Sequence, residues 1–344
     1  MDLRVDSHKL HFHPKRVSEW LDKKDSWETA KEIYPIYVEV SPVGACNHRC
    51  TFCAVDYIGY KSITLDAGVL SQRLGEMGKL GVKSVMFAGE GEPLLHKQIN
   101  EMVLSSVGNG IDVAFTTNGV LLNRLETLDR CSWVKVSVNG GTSKTYAAVH
   151  RTKEKDWDTV WENIGGAVKR KGNCMIGVQT LQLQVIYREL QQLYDICDYH
   201  GVDYFVVKPY SQHKFSITHT HENRVMRTPE IRTNHTQFIW REESAETKEI
   251  PYDKCQATPH FWAYIMASGD VYSCSAYLLD KRFRLGNINE QSFKEIWTGS
   301  CREENWHYVR EKLDIHECRV NCRMDKVNRY LTDLVKGVPG QHFI

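Results

Sequence analysis

Cys46, Cys50 and Cys53 stand in the run Gly44-Ala-Cys-Asn-His-Arg-Cys-Thr-Phe-Cys-Ala54, a C-x3-C-x2-C spacing. Three thiolates are one short of the four that close a structural zinc site. An iron–sulfur cluster held by only three thiolates keeps one iron open, and an open iron can bind and activate a small molecule. A zinc knuckle that borrows a ligand such as His48, or unrelated surface thiols, are the readings that spacing alone leaves standing.

A second group of cysteines is more dispersed. Cys255 and Cys274 lie 19 residues apart around a hairpin-like stretch, and Cys318 and Cys322 follow towards the C-terminus. Four thiolates can close a tetrahedral or cubane site. A zinc ribbon ordinarily pairs its cysteines as C-x2-C, which Cys255 and Cys274 do not. Cys131, Cys174 and Cys197 fall at strand or helix positions, where buried cysteine packs as a small hydrophobe. Cys301 stands apart, after Thr298-Gly-Ser.

Eleven cysteines in a chain of 344 residues is a large and odd number for a reducing compartment, where clustered cysteines mark metal sites or catalysis rather than disulfides. With 42% hydrophobic and 25% charged residues the composition is that of an ordinary globular protein. A net charge of +1 gives no general attraction to nucleic acid or to an anionic membrane. No apolar run approaches a membrane span, and Met1-Asp-Leu-Arg-Val-Asp-Ser7 lacks the apolar core of a secretion signal. These features predict a cytoplasmic protein with no nucleic-acid or membrane partner.

The cysteines must be held by a scaffold. Apolar strand-like runs at Ile36–Val40, Val82–Ala88, Asp112–Thr116, Trp133–Val138, Met175–Leu183 and Asp203–Val207 alternate with amphipathic segments near 65–79, 96–108, 120–129, 155–171 and 187–200. Repeated βα units predict a parallel sheet, and six of them predict a partial (β/α)6 barrel with its active edge at the strand C-termini. The expected organisation is an N-terminal extension over 1–35, the partial barrel over 36–212, a connector over 213–254 and a small α+β unit over 255–344. In that last unit Phe261–Met266 and Val271–Cys274 read as a hairpin around Gly269-Asp270. Helices are expected at 291–297 and 302–312 and after Cys322.

Over roughly 36–212 the chain resembles the radical S-adenosylmethionine (radical SAM) enzymes, whose three-cysteine motif carries an aromatic residue before the last cysteine, here Phe52. Gly89-Glu-Gly-Glu-Pro93 is similar to the family's Gly-Gly-Glu-Pro turn, Thr116-Thr-Asn-Gly119 to its third-strand turn and Ser137-Val-Asn139 to its fourth-strand motif. The resemblance implies a [4Fe–4S] cluster on Cys46, Cys50 and Cys53 whose open iron chelates S-adenosylmethionine. It also implies cofactor contacts from Phe52, Thr117 and Asn118. Gly91 and Glu92 would receive the methionine ammonium, and Ser137 and Asn139 the ribose and carboxylate end. The chemistry implied is reductive cleavage to a 5′-deoxyadenosyl radical that abstracts hydrogen from substrate, with a flavodoxin- or ferredoxin-type protein as electron donor.

The C-terminal region resembles a shortened SPASM, or twitch, domain, including Leu285-Gly-Asn-Ile and Glu295-Ile-Trp. That resemblance implies one auxiliary [4Fe–4S] cluster on Cys255, Cys274, Cys318 and Cys322, with Cys301 as a substitute ligand. Since epimerising relatives return hydrogen from a cysteine, Cys301 is also the candidate catalytic residue. Lys208, Tyr210, Gln212 and His213, at the end of the sixth strand, are expected to line the substrate mouth. The expected substrate is a polyhydroxylated small molecule, a sugar or aminocyclitol, oxidised to a ketone or epimerised. Thioether formation or epimerisation on a ribosomal peptide is the alternative, and the short stretch before the first strand argues against an N-terminal leader-binding module. A non-catalytic iron–sulfur scaffold is disfavoured by the intact three-cysteine motif with Glu92.

Overall fold

The computed structural model describes residues 8–210, 213–218, 229–241, 250–258, 260–318, 322–337 and 339–343. The six expected strands form: β1 (Tyr37–Val40), β2 (Ser84–Phe87), β3 (Asp112–Thr117), β4 (Trp133–Ser137), β5 (Met175–Gln182) and β6 (Tyr204–Pro209). They pair in parallel and in chain order, which is what βα repeats with right-handed crossovers produce.

Further strands extend this core on both sides. β7 (Gln237–Trp240) adds in parallel to β6, and β8 (Trp262–Ile265) adds in parallel to β1. β8 continues into β9 (Asp270–Tyr272) and β10 (Arg284–Asn287) as antiparallel neighbours, so the sheet order is β10-β9-β8-β1-β2-β3-β4-β5-β6-β7. The stretch 213–254, which shows no period in the sequence, therefore contains a strand. The C-terminal hairpin is hydrogen-bonded directly onto the barrel sheet.

Alternation along the strands separates the two faces. Val85, Phe87, Val113, Phe115, Val134, Val136, Ile176, Val178, Phe205 and Val207 form the convex side of one continuous core. The helices over it are α3 (Ala67–Lys79), α4 (Ile99–Gly108), α6 (Lys155–Arg170) and α8 (Leu190–His200), contributing Leu70, Leu74, Met102, Val160, Ile164 and Leu193. Cys131, Cys174 and Cys197 lie in that core, as expected of structural thiols. On the concave face Met86, Ala88 and Ala114 pack with Tyr37 and Trp133, lining a lumen.

Two local expectations change. Residues 120–129 form two 3-10 turns, Leu122–Arg124 and Leu128–Arg130, rather than a helix. Outside groups take the backbone positions a helix would use: Arg170 donates to the carbonyls of Leu122 and Leu125, Asn163 to Gly119 and Val120, and Asn100 accepts the Thr127 amide. The Gly-rich stretch after β4 instead starts a helix unforeseen in the sequence, α5 (Ser143–His150), capped by Thr142 accepting the Thr145 amide at 3.2 Å.

The N-terminal helices α1 (Pro14–Lys23) and α2 (Trp27–Ala30) pack Trp20, Trp27, Ala30 and Ile33 against Phe261, Trp306 and Leu331. No described helix is long and apolar enough to cross a membrane.

Candidate active site at the strand C-termini

The loop after β1 carries Cys46, Cys50 and Cys53 and is anchored mainly by backbone. The Arg49 and Thr51 amides donate to the carbonyls of His150 and Val149 at 3.1 and 2.9 Å, tying the loop to the last turn of α5. Phe52 inserts among Val149, Leu183, Ile186 and Tyr210, with its ring edge-on to His150 at 5.6 Å. Burial, and after it the Glu92 carboxylate, pushes the Cys46 thiol up to about 12. Burial and then the neighbouring Cys46 and Cys53 push Cys50 well above its usual range. Three converging thiols that resist ionisation by themselves fit an electron-poor iron cluster, which reverses the local preference and stabilises the thiolates.

His48, Cys50 and His150 also present donor atoms within 4.8 Å of one another. His150 is not poised as a ligand there. Its Nε2 accepts the Asn139 amide at 3.0 Å, so Nδ1 carries the proton and faces Cys50 Sγ at 3.3 Å. Burial and then His48 depress its pKa, keeping the ring neutral with one proton to donate. His48 Nε2 stands 3.5 Å from Asp156.

Glu92 organises the turns that follow β2 and β3. Its carboxylate accepts from Thr117 Oγ1 at 2.6 Å, the Asn118 amide at 2.8 Å and the Leu94 amide at 3.1 Å. Three of its roughly four acceptor directions are thereby used within the fold. A Cβ on Gly91 would collide with the carbonyls of Val43 and Ala45, so glycine lets this turn press against the cysteine loop. Asn118 Nδ2 reaches Asn47, between the first two cysteines, at 2.6 Å. Asn139 is similarly engaged: its Oδ1 accepts the Leu181 amide at 2.7 Å, joining the ends of β4 and β5. Ser137 is half-buried on the concave face of β4.

The second cysteine set converges as well. Cys274 is raised well above its usual range by burial, then by Cys322, Cys255 and Cys318, and Cys322 is pushed up to about 12 by burial and then Cys255. The Tyr277 hydroxyl lies 3.4 Å from Cys318 Sγ, and Asn328 Nδ2 donates to Cys255 Sγ at 3.5 Å. Four thiols gathered this way can hold an iron–sulfur cluster with no further protein ligand. Around them pack Trp262, Tyr264 and Tyr37 of the lumen and Val55, Tyr57 and Ile58 of the first cysteine loop. One packed cluster therefore joins the second thiol set to the loop that carries the first.

Cys301 is not part of that cluster. It is exposed on the first turn of α10 (Ser300–Glu311). The next residue, Arg302, is buried and donates to the carbonyls of Ala30, Lys31, Ile33 and Trp297, which fixes this helix end beside the chain entering β1, at the opposite end of the strands. Neither a hydrogen donor nor a substitute cluster ligand can act from there.

Of the expected mouth residues, Lys208 is half-buried near the end of β6, and Tyr210 is buried against Phe52. His213 stacks on Tyr57 at 5.6 Å and so clamps the connector to the cysteine loop. Gln212 lies outside the described residues. Asp56 completes that clamp by accepting the amides of Ile217 and Thr218 at 2.8 and 2.7 Å.

Sequence reading missed several lumen residues. Arg323, next to Cys322, pairs with buried Glu39 and donates to the Tyr37 hydroxyl at 3.0 Å. Lys135 is half-buried on the concave face of β4, with Nζ 5.6 Å from the Trp133 ring centroid. The signal for Glu39 and Lys135 is a charge inside the apolar runs Tyr-Val-Glu-Val and Trp-Val-Lys-Val. His150 and Glu90, which accepts the Ala267 amide at 2.6 Å, carry no comparable sequence signal.

The family model of the radical SAM superfamily matches residues 40–184, and that of the SPASM iron–sulfur cluster-binding domain matches 255–323. GTP 3′,8-cyclase of Chlorobaculum tepidum is 41% identical over 90 residues, 26% of this chain and 27% of the cyclase. Molybdenum cofactor biosynthesis protein 1 of Dictyostelium discoideum is 29% identical over 153 residues, 41% of this chain and 24% of that protein. The chain thus spans about a quarter of the length of these two curated relatives. Among solved structures, Streptococcus suis SuiB bound to S-adenosylmethionine has a TM-score of 0.64 at 18% identity, covering 96% of this chain and 80% of SuiB. The anSMEcpe structure with bound S-adenosylmethionine has a TM-score of 0.58 at 15% identity, covering 88% of this chain and 99% of that one. These likenesses share the fold. The chain carries a radical SAM superfamily domain over residues 40–184 and a C-terminal SPASM iron–sulfur cluster-binding domain over 255–323.

Proposed function

We propose that this enzyme abstracts hydrogen from a carbinol carbon of a polyhydroxylated small molecule and oxidises it to a ketone. The observation that carries the reading is the shared packing: lumen residues Tyr37, Trp262 and Tyr264 pack with Cys255, Cys274, Cys318 and Cys322 and with Val55, Tyr57 and Ile58 of the first cysteine loop. When bound, S-adenosylmethionine and the first cluster would supply the 5′-deoxyadenosyl radical that takes the carbinol hydrogen, the second cluster would accept the electron left on substrate, and the hydroxyl proton would pass to water. A flavodoxin- or ferredoxin-type protein is the proposed reductant.

The chain's own groups hold and shield this chemistry. Cys46, Cys50 and Cys53 are the proposed ligands of the first cluster, and Cys255, Cys274, Cys318 and Cys322 of the second. Glu92 keeps the turns after β2 and β3 in register with the cysteine loop, and Gly91, Thr117 and Asn118 on those turns are the proposed cofactor contacts. Phe52 with Val149, Leu183, Ile186 and Tyr210 excludes water from one side. Tyr37, Glu39 and Lys135 offer polar contacts to a hydroxylated solute deep in the lumen. Oxidation is preferred to epimerisation because Cys301, the candidate hydrogen donor, is exposed and outside the cluster that joins the two thiol sets.

A peptide substrate is the second reading. Phe215 and Ile217 are exposed on the segment that Asp56 ties to the cysteine loop, an apolar surface suited to side chains of a longer ligand.

Protein reconstituted with iron and sulfide, given dithionite and S-adenosylmethionine, is expected to release 5′-deoxyadenosine. A small-metabolite fraction should raise the yield above the uncoupled background, whereas stimulation by a peptide fraction alone favours the second reading. Absence of 5′-deoxyadenosine with either fraction overturns the enzymatic assignment.

A further inference from the structure

The second thiol set has a charged neighbour supplied by the connector. There the His213 carbonyl accepts the Ser216 amide at 3.1 Å, closing a turn with Lys214 and Phe215 at its corners. Lys214 Nζ donates to the carbonyl of Glu317 at 3.1 Å, a contact spanning 103 residues of chain, and Glu317 directly precedes Cys318. The same ammonium stands 4.9 Å from the centroid of the Tyr277 ring. That ring stacks on Phe283 at 4.1 Å, and its hydroxyl lies 3.4 Å from Cys318 Sγ.

Lys214 is exposed, so its place is set by its flanks rather than by its own burial. Ser216 Oγ donates to the Cys53 carbonyl at 2.9 Å, and the amides of Ile217 and Thr218 are held by Asp56. With His213 stacked on Tyr57, six consecutive residues are pinned to the first cysteine loop and present one cation to the second set. Burial, the largest influence, raises the Cys318 pKa; the Tyr277 hydroxyl and the Lys214 charge pull it the other way, against Cys255 and Asp314. Both groups thus favour negative charge on that sulfur. A four-thiolate cluster gains one negative charge on reduction, and its potential follows nearby charge and hydrogen bonds to sulfur.

We propose that Lys214 tunes the auxiliary cluster for electron uptake: its ammonium, beside the Tyr277 hydroxyl, favours the reduced state at the Cys318 corner and raises the midpoint potential. This rests on the oxidation reading above, in which that cluster takes one electron from the substrate radical as the ketone forms. No bond is made or broken at Lys214, and it neither gives nor takes a proton. Because the lysine is carried by a segment pinned to residues 53–57, the first cysteine loop sets where the charge stands at the second site.

The test is a redox titration, followed by electron paramagnetic resonance, of reconstituted full chain carrying Cys46→Ala, Cys50→Ala and Cys53→Ala, which isolates the second cluster. Lys214→Gln keeps a donor for the Glu317 carbonyl but no charge, and should shift the midpoint potential to more negative values. Lys214→Arg keeps the charge and should stay with the parent. Should Lys214→Gln load less iron than the parent, Lys214→Met carries the same comparison. An unchanged potential without the charge, or equal shifts in the Gln and Arg variants, overturns the inference. Loss of iron from both uncharged variants makes the contact structural and overturns it too. Product analysis of the chain with all its cysteines separates the two levels. Ketone formed with no shift in potential removes Lys214 alone, whereas a shift with no ketone sinks the oxidation reading and leaves the tuning in place.

Discussion

His150 Nδ1 lies 3.3 Å from Cys50 Sγ, with its proton fixed on that side by the Asn139 amide at Nε2. A hydrogen bond to a cluster sulfur stabilises the more negative, reduced state. His150→Phe should therefore lower the midpoint potential of the first cluster. If about 1 kcal/mol separates the two redox states, the shift is roughly 40 mV. Spectroelectrochemistry of reconstituted protein checks this, and an unchanged potential with full iron content would remove His150 from that role.

Glu92 offers a test of stability. Glu92→Ala strips the acceptor from Thr117, Asn118 and Leu94 at once, leaving buried donors unpaired. The expected loss is about 3 kcal/mol, with Glu92→Gln losing less because one oxygen still accepts. Chemical denaturation of the metal-free chain measures both without involving the cofactor.

Cys301→Ser should leave turnover within experimental error of the parent enzyme, since the thiol is exposed at the other end of the strands from the first cysteine loop. Continued 5′-deoxyadenosine release with stalled product formation would return Cys301 to the mechanism.

Iron content addresses the second thiol set. The parent chain should hold about eight iron atoms after reconstitution, and Cys274→Ala or Cys322→Ala about four. Four in the parent would eliminate the auxiliary cluster.

Lys135 sets a pH dependence. In the fold it loses its proton near 7, against 10.5 for its ordinary value, because of burial and the facing Arg241 and Arg323 cations, opposed by Glu39. Between those values the unfolded chain binds more protons, so stability contributed at this site rises with pH. The penalty is whole below about pH 7 and vanishes near pH 10.5. Lys135→Met should thus melt higher than the parent at pH 6, with the gap closing towards pH 10; a constant gap would mean that the lysine is not held in this environment.

Chemistry written in contiguous residues was legible before the fold. C-x3-C-x2-C, the Gly-Glu-Pro turn and the ends of six apolar runs identify an open iron and the scaffold that presents it, because each is local: consecutive residues on one loop or alternating residues on one strand. The parallel core followed from period-two runs at Val85–Phe87, Val113–Phe115 and Val134–Val136 separated by amphipathic helices. The failures were also local. Residues 120–129 have a helical pattern but surrender their carbonyls to Arg170 and Asn163, and β7 is too short and mixed to show a period on its own.

Tertiary structure decided everything that depends on residues far apart in the chain. Sequence leaves Cys301 open as a substitute ligand beside Cys322, but Arg302, held by the carbonyls of residues 30–33, puts Cys301 at the other end of the strands. Pairing of β8 with β1 sets the hairpin that leads to Cys274 onto the barrel sheet, and Glu39, Arg241 and Arg323 act electrostatically on Lys135 from separate elements. Spacing reveals which atoms can ligate or ionise. Only the packing of strands against one another determines which of those atoms share a low-dielectric space.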